Sequence, residues 1–153
     1  MAIEIERKFL VNSDEWRINE PVAICQGYLN RDPDRTVRVR TAGSQAWITI
    51  KGRTEGAVRS EFEYPIPLND AYALLELCER PLLEKRRYHF EHDGRVWEID
   101  EFLGENTGLV VAEIELDKPE AEVSLPSWTG MEVTHDPRYF NSSLTLIPFT
   151  TWK

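Results

Sequence analysis

Cysteine, histidine and long apolar runs are what this sequence of 153 residues has little of. Cys25 and Cys78 stand singly, without the paired spacing of a zinc knuckle or a redox motif, so both are expected to be reduced and buried. His89, His92 and His135 show no metal-ligand spacing and are expected at the surface. No apolar stretch approaches the roughly 20 residues that a membrane helix needs. Charge begins at Glu4, ahead of any signal-peptide core, so a cytoplasmic protein without a membrane partner is expected. Positive charge is scarce too: 18 Lys and Arg against 27 Asp and Glu leave a formal net charge of -9. That balance argues against a general nucleic-acid coat, whose affinity comes from basic surface that neutralises phosphates. It leaves room for a phosphate compound held in an internal cleft where basic groups are focused.

What is present is a globular composition, 41% apolar and 29% charged, with a length that suits one domain over residues 1–153. Ile3 to Leu10 alternates, so that on a strand Glu4, Glu6 and Lys8 share one face and Ile3, Ile5 and Phe9 the other. Ser13 is an expected cap of a short turn containing Asp14, Glu15 and Trp16. Ile24 to Asn30 is a second strand, with Gln26 and Tyr28 on one face. Thr36 to Thr41 sets Arg38 and Arg40 against Val37 and Val39. Gln45 to Gly52 groups Trp47, Thr49 and Lys51 opposite Ala46, Ile48 and Ile50. Val58 to Ile66 groups Arg59, Glu61 and Glu63 and ends at Pro65 and Pro67, which lack backbone donors. Asn69 is the expected cap of a helix from Asp70 to about Glu79 with a narrow apolar stripe.

Beyond the helix, Leu83 to Glu91 carries Lys85, Arg87 and His89 on one face. His92-Asp93-Gly94 reads as a hairpin turn. Arg95 to Phe102 offers Glu98 and Asp100, and Leu109 to Asp117 offers Glu113 and Glu115. The tail is weakly patterned, except that Asp136 is placed to cap a short helix opened by Pro137. Seven strands thus carry charges at i, i+2 spacing, and Ile24 to Asn30 makes an eighth. Either the ionic faces meet solvent, as in a sandwich, or they line the inside of a closed barrel. A solvent face normally mixes in Thr, Ser and Gln, whereas these positions are nearly all Arg, Lys, Glu or Asp. Because Glu and Asp are poor strand formers, their paired use asks for a chemical reason.

Glu4-Ile5-Glu6-Arg7-Lys8 resembles the ExExK signature of the CYTH superfamily, the triphosphate tunnel metalloenzymes. The resemblance continues in order through Arg38-Val39-Arg40, Lys51-Gly52, Arg59 to Glu63, Lys85-Arg86-Arg87, Glu98-Ile99-Asp100 and Glu113-Ile114-Glu115. It implies a mainly β, α+β fold: an eight-stranded antiparallel β-barrel tunnel with a charged interior and a few helices packed outside. It also implies handling of a triphosphate group with a divalent metal, Mg2+ or Mn2+. Glu4, Glu6, Glu113 and Glu115 match the family's metal positions; Glu61, Glu63 and Asp100 are further metal or supporting candidates.

Lys8, Arg38, Arg40, Arg59, Lys85 and Arg87 are the expected phosphate cradle, since inward positions about 6.5–7 Å apart on a strand can follow a chain of phosphates. Lys51 is a candidate general base, oriented by Tyr28, or alternatively one more phosphate ligand. The short chain leaves no evident insertion for a large base or an RNA strand. The expected substrate is therefore inorganic triphosphate, cut to pyrophosphate and phosphate, as in the small bacterial inorganic triphosphatases that the chain resembles. An adenylate cyclase, a thiamine or nucleoside triphosphatase and a nonenzymatic polyphosphate-binding module stay open as alternatives, and a homodimer is compatible with all of them. The Asp136 to Asn141 segment is expected either to lid one tunnel mouth or simply to pack.

Overall fold

A computed structural model describes residues 3–152. The alternating segments form β1 (Ile3–Val11), β2 (Val22–Asn30), β3 (Arg35–Ala42), β4 (Gln45–Gly52) and β5 (Val58–Pro65). After helix α1 (Leu68–Leu77) come β6 (Leu83–His92), β7 (Arg95–Phe102) and β8 (Val110–Glu115). Neighbours run antiparallel in the order β5-β4-β3-β2-β6-β7-β8-β1, and β1 returns to pair with β5, which closes the ring. That closing seam is short: Ile3, Ile5 and Glu4 face Ser60, Val58 and Arg59.

A strand absent from the sequence expectation, β9 (Thr129–Glu132), takes over beside β1 where β5 leaves it, pairing at Phe9 and Val11. Its Thr-Gly-Met-Glu sequence has no apolar alternation, which is why the pattern hid it. Helix α1 begins earlier than expected, at Leu68 rather than Asp70, and Asn69 is not its cap. Pro67 occupies that position without a side-chain bond, and its carbonyl receives the Ala71 N–H at 3.0 Å. The helix also stops at Leu77, because Cys78 is extended and the Glu79 N–H goes to the Tyr28 carbonyl instead. Asp136 does cap, accepting from Arg138 N above a single 3-10 turn over Pro137–Tyr139. A six-residue helix, α2 (Asn141–Leu146), follows.

The apolar faces of the strands point out of the ring, as the sequence expectation had them, and three coverings bury most of them. Helix α1 packs Ala71 and Leu75, and the residue just after it, Cys78, on Val39 and Ala46. Gly27 on β2 permits this approach, since a Cβ there would stand 2.7 Å from both Cys78 and Leu82. The tail lays Val133, Tyr139 and Leu144 on Leu83, Phe102 and Val111. The third covering is loop rather than helix. Trp16 and Trp128, from the turn after β1 and the loop before β9, bury Phe9, Trp97, Ile99 and Ile114. Edge-to-face contacts link Trp16 to Tyr88 and Trp97 to Trp128, and such pairs add about 0.5–1.5 kcal/mol each beyond burial. The outer face of β5 is left bare, with Phe62 and Tyr64 exposed beside Ile50. At the hairpin between β6 and β7, Asp93 and Gly94 both take positive φ, as a tight two-residue turn requires.

Candidate active site

Period-two alternation sends the ionic face of every barrel strand inward, so the core of the ring is a polar cavity of about 170 Å³. Lys8, Arg38, Arg40, Arg59, Lys85 and Arg87 all line it, as do Glu4, Glu6, Glu61, Glu63, Glu113 and Glu115. Tyr28 and Lys51 are there too. Asp100 alone of the expected site residues does not line it. Its oxygens are already taken beneath the wall by Arg87, at 2.8 and 2.9 Å, and by Lys85 at 2.8 Å.

Strand order divides this wall. The β3, β2 and β6 arc supplies Arg38, Arg40, Lys85 and Arg87, whereas β7, β8, β1 and β5 supply the carboxylates, with Lys8 and Arg59 set among them. Cations crowd one side. The Arg40 guanidinium is pushed downward by burial and by the neighbouring Arg38 and Arg87 charges. The Arg40 side chain makes one hydrogen bond among the described residues, donated by Nε to Gln26 Oε1 at 2.8 Å. Arg38 donates through Nη2 to Thr49 and Glu63, yet its Nε is buried with no partner among the described residues. An orphaned charged donor is costly, so an anion in the cavity would relieve it.

Burial also presses the Lys85 ammonium down to about 7, helped by Arg87 and Arg40 and opposed by Asp100. Asp100 is held far below the usual carboxylate range, since Arg87 and Lys85 outweigh the opposite effect of its burial.

Anions crowd the other side. Glu6 lies directly across from Glu115, and Glu98 from Glu113, arrangements that are destabilising for like charges on adjacent strands. Burial and the nearby Glu113 and Glu4 raise Glu6 to about 7 despite Lys8. Burial would raise Glu113 as well, but the charges of Lys8 and Arg87 carry it down to about 2. Glu4 is lowered because Lys51 Nζ donates to both its oxygens at 3.0 Å and overcomes burial. Among the described residues no three acidic or histidine side chains already surround one point as a metal nest. The donor set nevertheless fits a hard divalent cation, which takes carboxylate oxygens and would neutralise the Glu6, Glu113 and Glu115 surplus.

Lys51 makes its contacts with Glu4 and, at 3.4 Å, with Glu61. Tyr28 is not among them: its hydroxyl accepts from Gln26 Nε2 at 3.4 Å, so the structure does not join the expected Tyr28–Lys51 pair directly. Sequence reasoning passed over Gln26 and Thr49 because neutral side chains on an ionic face look like filler. Phe140 and Asn141 belong to the segment expected either to lid a tunnel mouth or to pack, but neither they nor Ser142 were singled out for the site, since they reach the cavity from a tail without periodicity.

Against known proteins, residues 2–147 match the CYTH domain. This chain belongs to the CYTH family. It is 48% identical over 155 residues to an inorganic triphosphatase of Acetivibrio thermocellus, covering 100% of this chain and 99% of the relative. It is 35% identical over 147 residues to an inorganic triphosphatase of Nitrosomonas europaea, covering 94% and 97%. The crystal structure of the inorganic triphosphatase NE1496 superposes with a TM-score of 0.67 at 34% identity, over 93% of this chain and 97% of that one. The CYTH barrel therefore accounts for the inverted arrangement, with charge inside and apolar residues outside.

Proposed function

We propose that the chain, acting as a single tunnel domain, hydrolyses inorganic triphosphate to pyrophosphate and phosphate with Mg2+ or Mn2+. The observation that carries this reading is the division of the tunnel wall into a side short of anions and a facing side short of cations. A metal-complexed triphosphate supplies both. Two relatives named inorganic triphosphatase, each matched over nearly its full length, support the choice of substrate.

In this reading Arg38, Arg40, Lys85 and Arg87 hold the phosphates from one side, and Lys8 and Arg59 close over them from the other. Arg engages two oxygens at once through its planar fork, while Lys contributes a compact charge. Glu4, Glu6, Glu113 and Glu115 hold the cation, with Glu61 and Glu63 behind them; Asp100 aligns Arg87 and Lys85 from beneath. The cation, when bound, neutralises charge developing on the transferred phosphoryl group and lowers the pKa of a coordinated water. Phosphoryl transfer needs positioning and charge compensation more than covalent help, which a closed ring of fixed charges provides. In this reading Lys51, whose Nζ donates to both Glu4 oxygens, is either the group that moves a proton of the attacking water or one more phosphate ligand, and the kinetics of Lys51→Ala decide between them. A cytoplasmic setting belongs to the same proposal. No helix among the described residues is long and apolar enough to cross a membrane.

The test is phosphate release from tripolyphosphate, ATP and thiamine triphosphate with each metal. Tripolyphosphate is expected to give the highest kcat/KM, Glu4→Gln to abolish metal-dependent turnover and Arg40→Ala to raise KM. Equal or better turnover of ATP refutes the substrate, and cyclic AMP as the product would refute the reaction class.

A further inference from the structure

The C-terminal segment enters the cavity at its cationic side. Phe140 sets its ring 5.6 Å from Lys8 Nζ, and the next residue, Asn141, points its Oδ1 at two groups of the wall. Lys85 Nζ donates to that oxygen at 2.9 Å, and Gln26 Nε2 donates to it at 3.4 Å. An ammonium has three donors. Asp100 takes one at 2.8 Å and Asn141 a second, which leaves the third without a hydrogen-bond acceptor among the described residues, on a side chain that borders the cavity although it is sealed from solvent.

The two acceptors differ in kind. Asp100 is charged and lies beneath the wall, so on its own it would draw Lys85 away from the cavity. Asn141 is neutral and lies within the cavity lining, so it pulls back without adding an anion where phosphate must bind. Oδ1 is thereby fixed toward Lys85, and Nδ2 is left with no protein partner among the described residues.

This tail is tied down rather than draped. Arg31, from the turn after β2, donates to the Thr145 hydroxyl at 3.0 Å and the Thr145 carbonyl at 3.2 Å, and pairs with Glu79. Asn106 donates to the Leu144 carbonyl and accepts from Phe149 N, fixing the far side of α2. Leu144 is fully buried. A segment that only covered the ring would not need a polar side chain held this firmly against a buried lysine.

We infer that Asn141 is a positioning residue of the triphosphate site, holding Lys85 in the orientation that meets phosphate. The inference rests on the proposed function for its ligand but not for its chemistry, since the positioning acts on binding. The test is calorimetric binding of tripolyphosphate in the absence of divalent metal, to the wild type, Asn141→Ala, Lys85→Ala and the double variant. Loss of a hydrogen bond to a charged group predicts binding weakened on the order of tenfold in Asn141→Ala. In the Lys85→Ala background the same substitution is expected to change affinity by less than about twofold, the non-additivity that marks action through a shared partner.

With metal, KM rises while kcat holds. Thermal melts verify folding, and Asn141→Ser, which withdraws the oxygen from Lys85 while keeping a polar side chain, is expected to show the same loss. Wild-type affinity in Asn141→Ala overturns the inference, and so does an equal loss in both backgrounds. Wild-type binding without hydrolysis when metal is added would refute the proposed reaction and leave the positioning role standing. No wild-type binding would overturn both.

Discussion

Asp100→Asn isolates the charge beneath the tunnel wall. The replacement keeps shape and removes one negative charge from a place where Asp100 and Lys85 are both sealed from solvent. Arg87 meets both Asp100 oxygens and Lys85 meets one, so three donors converge on one carboxylate. An asparagine would turn an NH2 toward one of those donors, take from Lys85 its charged partner and leave Arg87 with only the longer contacts to Glu98 and Glu113. Breaking a buried pair on one side costs about 3–5 kcal/mol. At roughly 2–4 °C per kcal/mol for a chain of this size, the melting temperature should fall by roughly 6–20 °C.

The assay is urea and thermal unfolding followed by circular dichroism, without metal or phosphate. Tripolyphosphate should restore more stability to the variant than to the wild type, because it supplies the missing negative charge to a site that only the folded chain presents. An unchanged unfolding midpoint in the ligand-free variant, together with lost turnover, would refute the reasoning. Asp100 would then serve the ligand directly, the metal-holding role that the sequence left open beside a supporting one.

Glu6, raised to about 7 when folded against about 4.3 unfolded, binds more protons in the folded state between those values. Metal-free stability should therefore fall as pH rises through that window, and Glu6→Gln should flatten the slope in urea titrations; a rising wild-type slope that the variant leaves in place would contradict this. Lys51→Ala should lower kcat by about 10²–10⁴ if the amine moves the proton. A change confined to KM in steady-state kinetics would make it a phosphate ligand instead. Gly27→Ala should cost about 1–3 kcal/mol by overpacking against Cys78 and Leu82, read as a lower urea midpoint at unchanged KM.

The barrel was legible because its pattern is unusual twice over: eight candidate strands, and in seven of them alternation that brings in ionic rather than merely polar residues. Period two fixes which side chains share a face, so Arg38 with Arg40 and Glu113 with Glu115 followed from spacing alone. The ExExK resemblance then decided that the ionic face is the inner one. What alternation cannot encode is what comes from outside the strands. Strand β9 is too short and too polar to show a period, and α1 starts at Leu68 through the geometry of Pro67 instead of a capping side chain.

Asp100 illustrates a finer limit. It obeys the same parity as Glu98, yet its two oxygens are consumed by cross-strand Arg87 and neighbouring Lys85, and only the register reveals that. Asn141 was invisible as chemistry for the opposite reason, since a lone asparagine after Phe140 reads like ordinary surface.

The seam between β1 and β5 holds by three residue pairs, while β3 and β4 share eight. On that seam Glu4 stands opposite Arg59, one from the acidic set and one from the basic, and both line the cavity. The ring is thus closed most sparingly beside two side chains that the proposed function gives to different parts of one ligand, the cation and the phosphates. Under the proposed function, a metal-bound triphosphate held by both would act as a clasp: closing the ring and binding the ligand would draw on the same free energy, so each would strengthen the other to an equal degree.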